Sequence, residues 1–95
     1  MSVVTVVAVI KAKPGCEAAV EEGLRGLVPP TLKEEGCINY DFHTSNEDPS
    51  TFVFHENWES NALLDQHLES DHIAAFGAKA EDIIESLEVY RLTKQ

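Results

Sequence analysis

The chain has 95 residues and a formal charge of −10, from 17 Asp plus Glu against 7 Lys plus Arg. So acidic a balance argues against nucleic acid and anionic membrane surfaces, which are bound through clustered cations, and leaves small molecules or proteins as partners. A domain of this length buries only roughly 60–65% of its unfolded surface, so a partner subunit would add burial that its own core lacks.

The opening run is apolar, but no basic segment precedes it, no small-residue cleavage site follows, and it is too short to span a bilayer. The expectation is a cytoplasmic protein, organised as one domain over residues 1–95. Cys16 and Cys37 lack metal-ligand spacing and read as reduced, structurally minor thiols.

In chain order, residues 3–12 are rich in β-branched side chains and end at Lys13-Pro14-Gly15, a strand followed by a turn. Residues 16–28 read as a helix, with Val20, Leu24, Leu27 and Val28 on one side and Glu17, Glu21, Glu22 and Arg25 on the other. Pro29-Pro30 should interrupt it, with a helical turn resuming over 31–35 before Gly36. Residues 37–44 alternate, placing Ile38, Tyr40 and Phe42 on one face, and the cluster 45–50 turns the chain into a third strand, 51–58. Ser60 can cap a helix to about 69. Ser70 or Asp71 can cap another to about 85, with Ile73, Phe76, Ala80, Ile83 and Ile84 on its apolar face. Residues 87–93 form the last strand.

The order β-α-β-β-α-β is the α+β, ferredoxin-like split β-α-β pattern: one antiparallel sheet with helices on a single face. The first strand does not fit a sheet with one wet face, because Val3, Val4, Val6, Val7, Ala8, Val9 and Ile10 are apolar on both sides. Its second face needs cover, which predicts a homodimer through apposed sheets.

The third strand carries Glu56 and Trp58 among aromatics, and the helix after it turns His67 to its apolar side, beside Leu63 and Leu64. Together they suggest a pocket with a base and a flat wall. The stretch Leu32-Lys33-Glu34-Glu35-Gly36-Cys37-Ile38-Asn39-Tyr40, the segment Glu56-Asn57-Trp58-Glu59-Ser60 and the segment His67-Leu68-Glu69-Ser70-Asp71-His72 resemble the antibiotic biosynthesis monooxygenase superfamily, and within it the small bacterial quinol monooxygenases. The resemblance covers nearly the whole chain. It implies a dimeric α+β barrel and oxidation of hydroxylated aromatics by O2 with neither metal nor flavin.

The residues are compatible with such chemistry. There is no dinucleotide fingerprint, phosphate-cradling loop or His/Cys/carboxylate set with metal spacing, so no metal, flavin or haem is expected. Without a cofactor, O2 reacts with an electron-rich anion such as a deprotonated hydroquinone or anthrone, and the protein must supply a base, a dry aromatic pocket and donors. His67 is the leading base. Glu56 is the second, if burial raises its pKa; the alternative is a cross-strand or intersubunit ion pair with Arg91 or Lys11. Trp58 is expected to stack on the substrate and donate through its indole N–H, with Tyr40 as aromatic lining and Asn57 and His72 as further donors. A histidine satisfied by a backbone carbonyl and a tryptophan in plain core would give the same sequence pattern.

Two other branches of the superfamily leave different marks. The haem-degrading relatives carry Asn, Trp and His where this chain has Ala8, His67 and Gly77, so haem cleavage is disfavoured. An isomerase of a phosphorylated autoinducer-type sugar would need cations such as Lys11, Lys79 and Arg91 around the phosphate. A dimeric ligand-binding module without catalysis is the non-enzymatic alternative.

Overall fold

The computed structural model describes residues 3–95. β1 (Val4–Ala12) leads into α1 (Glu17–Arg25) and α2 (Val28–Leu32); β2 (Cys37–Thr44) and β3 (Thr51–Trp58) follow; then come α3 (Asn61–Leu68), α4 (Asp71–Ile83) and β4 (Ile84–Leu92). The four strands form one sheet in the order β2-β3-β1-β4, with every neighbouring pair antiparallel. This is the expected ferredoxin-like α+β arrangement. Among the described residues, no helix is long and apolar enough to cross a membrane.

β1 alternates strictly between buried and half-buried positions. Val4, Val6, Ala8, Ile10 and Ala12 face the helices, where they meet Phe52, Phe54 and Trp58 of β3 and Val20 and Leu24 of α1. Thr5, Val7 and Val9 point the other way, in register with Asn57, His55 and Val53 of β3 and with Leu92, Tyr90 and Glu88 of β4.

Several boundaries differ from expectation for identifiable reasons. Pro29 and Pro30 do not break a helix; they lie in the first turn of α2, where a missing N–H is no loss, and α1 has already ended at Arg25. α2 itself stops at Leu32, short of the expected turn to 35. At the other end, β4 begins directly at Ile84, because Ala12 pairs with Ile84 and Lys13 N–H donates to the Ile83 carbonyl at 2.9 Å, drawing into the sheet residues expected to be helical. Ile38 is also displaced. Cys37 pairs with Trp58 and Asn39 with Asn57, so Ile38 is the extra residue of a bulge and is 52% exposed, while Tyr40 and Phe42 turn inward.

Two local devices fix the chain near the site. Gly36 adopts φ +87°, and a Cβ there would lie 2.5 Å from Leu63 Cδ1, so only glycine allows α3 to close on the start of β2. Ser60 caps α3, its hydroxyl accepting from Leu63 N–H at 3.2 Å. α4 differs from α1 in that none of its residues is fully buried. It stands off the sheet.

Candidate active site

The gap between α4 and the sheet is a cavity of about 440 Å³. Val6, Ala8 and Ile10 of β1, Tyr40 and Phe54 pave its floor, Ile73, Phe76 and Ala80 of α4 form a wall, and Leu87 and Val89 of β4 flank it. Against this apolar lining stand His67, Glu56, Glu81 and Arg91.

His67 is buried in the last turn of α3. Its Nδ1–H donates to Glu34 Oε2 at 2.8 Å, and Nε2 has no hydrogen-bond partner among the described residues. This fixes the tautomer: the ring holds its proton on the Glu34 side and keeps a lone pair on Nε2. Burial pushes the imidazolium pKa below its usual value, opposed by the hydrogen bond and charge of Glu34. The ring is therefore neutral near pH 7 and able to accept a proton.

Glu56 is 5% exposed and follows Phe54 on the helix-facing side of β3. Burial raises its pKa to about 7, against the lowering effect of the hydrogen bond from Trp58 and with a further rise from the Glu34 charge. Within the chain the cross-strand ion pair weighed for it does not form: Arg91 donates to Asp65 at 2.9 Å and to Asn61 at 3.2 Å, and Lys11 pairs with Asp48 at 3.5 Å.

Trp58 does not line the cavity. It is fully buried behind it, with Nε1–H donating to Glu56 Oε1 at 2.8 Å and its ring 4.6 Å from that of His67. It packs against Glu56 and His67 instead of forming the expected wall. That surface belongs to Tyr40 and Phe54, whose rings stack 4.5 Å apart. The Tyr40 hydroxyl is driven well above its ordinary pKa, first by burial and then by Glu56, and stays protonated.

Two other expected contacts are elsewhere. Asn57 lies on the opposite face of β3, accepting from Thr5 Oγ1 at 2.6 Å and donating to Asn39 Oδ1 at 2.8 Å, because side chains alternate along a strand and Glu56 and Trp58 take the inner positions. His72 is outside the cavity lining, with Nε2 2.8 Å from Glu34 Oε2 and 3.0 Å from Thr31 Oγ1.

Glu34 is the member that the sequence did not disclose. It follows α2 in an acidic pair ahead of Gly36, a pattern that reads as a solvated turn, and meets His67 only through a contact 33 residues away in sequence. The same contact corrects the expectation of no metal-type cluster. Glu34, His67 and His72 come from three separate segments, and their ligand atoms all lie within 4.8 Å of one another. Cys37, one of two free thiols, has its pKa raised to about 11 by burial, then by Glu56 and Glu34, and is a poor nucleophile.

The chain as a whole is similar to known proteins. The family described as antibiotic biosynthesis monooxygenase matches residues 3–79. A protein of Escherichia coli strain K12, "Probable quinol monooxygenase YgiN", is 34% identical over 92 residues, covering 85% of this chain and 88% of that protein. The crystal structure of PA3566 from Pseudomonas aeruginosa superposes with a TM-score of 0.97 at 32% identity, covering 100% of this chain and 96% of that one. The structure of Rv0793 from Mycobacterium tuberculosis gives 0.92 at 27% identity, covering 99% and 96%. Sequence, fold and relatives agree: the chain belongs to the antibiotic biosynthesis monooxygenase family, and monooxygenase chemistry in general is what that membership supports.

Proposed function

We propose that the chain is a cofactor-independent monooxygenase that oxidises a small hydroxylated aromatic, of quinol or anthrone type, with O2. The observation that carries this reading is His67: a buried, neutral imidazole with Nδ1 held by Glu34 and Nε2 unpartnered, beside an apolar cavity large enough for a fused-ring phenol. The name of the Escherichia coli relative points to the same substrate class.

In this mechanism the substrate lies against Tyr40 and Phe54, and one hydroxyl gives its proton to His67 Nε2. Glu34 stabilises the imidazolium. The anion transfers an electron to O2, the two radicals recombine as a C–O bond, and the hydroperoxide loses water to leave a hydroxylated quinone. Hydroquinone plus O2 thus becomes hydroxyquinone plus water, with no external reductant. Glu56, poised near pH 7, can return a proton to the departing oxygen. The apolar lining keeps water from the anion.

The working unit in this reading is a homodimer joined through the outer sheet face. Val7 and Val9 are only half-buried there, and Tyr90 and Leu92 of the same face are 46% and 43% exposed. Together they make an apolar surface of the kind that marks an interface. The test is O2 uptake by metal-stripped protein across naphthohydroquinones and anthrones, with products identified by mass spectrometry under 18O2. Label in the product supports the monooxygenase. Tight binding without O2 uptake would make the chain a binding module instead.

A further inference from the structure

Two imidazoles converge on one carboxylate oxygen at the inner end of α3. His67 Nδ1 and His72 Nε2 each lie 2.8 Å from Glu34 Oε2. His72 Nε2 also has Thr31 Oγ1 at 3.0 Å and Ser70 Oγ at 3.4 Å, so three oxygens compete for its single proton. The knot is reached from outside through His72 and Glu34, whose side chains are 22% and 18% exposed, whereas His67 faces the cavity.

We propose that Glu34, His67 and His72 form a binding site for a divalent first-row transition ion, of which Zn2+ is the representative, and that its occupation switches the cavity's base off. Two imidazoles and a carboxylate are ligands that suit such an ion, and all three donor atoms already lie within 4.8 Å of one another. Bond lengths of about 2.0–2.2 Å place tetrahedral ligand atoms roughly 3.3 Å apart, so each nitrogen would retreat from Glu34 by about half an ångström while the two nitrogens, now within 4.8 Å, settle at that same spacing. The ion would occupy Nδ1 of His67. The ring's one proton then resides on Nε2, and the atom that accepts a proton in the metal-free protein becomes a donor. No bond to substrate is made or broken.

The inhibitory consequence rests on the proposed oxidation, but the binding does not, so the two can fail separately. Metal-stripped protein should take up one Zn2+ per chain in a titration against a chromophoric chelator, and its melting temperature should rise. Histidine 15N shifts should report coordination through Nδ1 of His67 and Nε2 of His72. Glu34→Gln and His72→Asn, each checked for a native circular dichroism spectrum, should weaken uptake by about tenfold or more. Replacing the exposed His43 and His55 by Asn should leave it unchanged. Uptake that survives both Glu34→Gln and His72→Asn, or that vanishes with His43 and His55, overturns the site, as does no uptake by the parent protein. For a quinol the parent oxidises, turnover should fall with the same zinc dependence as binding. Full turnover with the site loaded would overturn the switch alone.

Discussion

The two faces of the sheet are built from the same strands and have different duties. Under the helices, Val6, Ala8, Phe54 and Glu56 border a cavity with a neutral histidine and a carboxyl poised near pH 7. On the other face, the same strands present Thr5, Val7, Val9, His55 and Asn57, with Thr5, Asn57, Asn39 and Asp41 joined in a chain of side-chain hydrogen bonds. Neighbours along β3 therefore have unrelated surroundings: Glu56 borders the cavity, Asn57 the outer surface. The difference teaches that the effect of a substitution here follows the parity of its position before its chemical type.

The comparison can be broken at either face. The largest effect is expected at His67. His67→Ala should lower kcat by roughly 10²–10⁴-fold, the range for losing a positioned general base, while light scattering shows assembly unchanged. Wild-type turnover in that variant would dismiss His67 as the base and direct the test to Glu56. On the outer face, Val7→Asp should do the reverse. An unpaired charge buried between sheets costs several kcal/mol, so the dimer should dissociate in size-exclusion chromatography with light scattering. A wild-type chain that is itself monomeric at micromolar concentration would remove the interface from the proposal.

Glu56 sharpens the comparison through pH. Its folded pKa of about 7 lies above the ordinary 4.5, so between those values the folded protein holds a proton that the unfolded chain has released. Stability should fall as pH rises through that window, by about 3 kcal/mol in total. Glu56→Gln keeps an acceptor for Trp58 and cannot ionise, so its urea midpoint should lose this pH dependence; an unchanged slope would show that Glu56 ionises freely. The smallest effect is expected at Trp58. Trp58→Phe removes the hydrogen bond that favours the Glu56 carboxylate, which should move the Glu56 titration upward by about one pH unit with a modest loss of activity. A pH-rate profile coincident with the parent's would show that the bond does not tune the acid.

The strands were legible because their punctuation is local. Gly36 opens β2, and the 45–50 cluster closes the hairpin around Asp48, which accepts from Ser50 N–H at 3.0 Å and from Thr51 Oγ1 at 2.9 Å. His67 and Tyr40 were legible from periodicity, which turns them inward. What was not legible depends on partners distant in sequence. Glu34 looks like one more surface acid until α3 folds over it, and Trp58 looks like pocket wall until Glu56 claims its N–H. Pro29-Pro30 misled because proline at the start of a helix and proline breaking one look alike in sequence. β4 reaches back to Ile84 because pairing with Ala12 outweighs a helical pattern that continues through residue 85.

The loose seating of α4 bears on how such a protein can change over generations. Ile73, Phe76, Gly77 and Ala80 face the cavity from a helix with no fully buried residue, and a side chain added at Gly77 would meet nothing within 4 Å. Substitutions along this wall reshape the space offered to a ligand while sparing the tightly packed contacts between β1, β3 and α1. Glu56, His67 and Glu34, by contrast, sit on β3, on α3 and in the loop before β2, where changes do cost stability. A lineage could thus trade one cavity ligand for another through α4 alone, keeping Glu56, His67 and its fold.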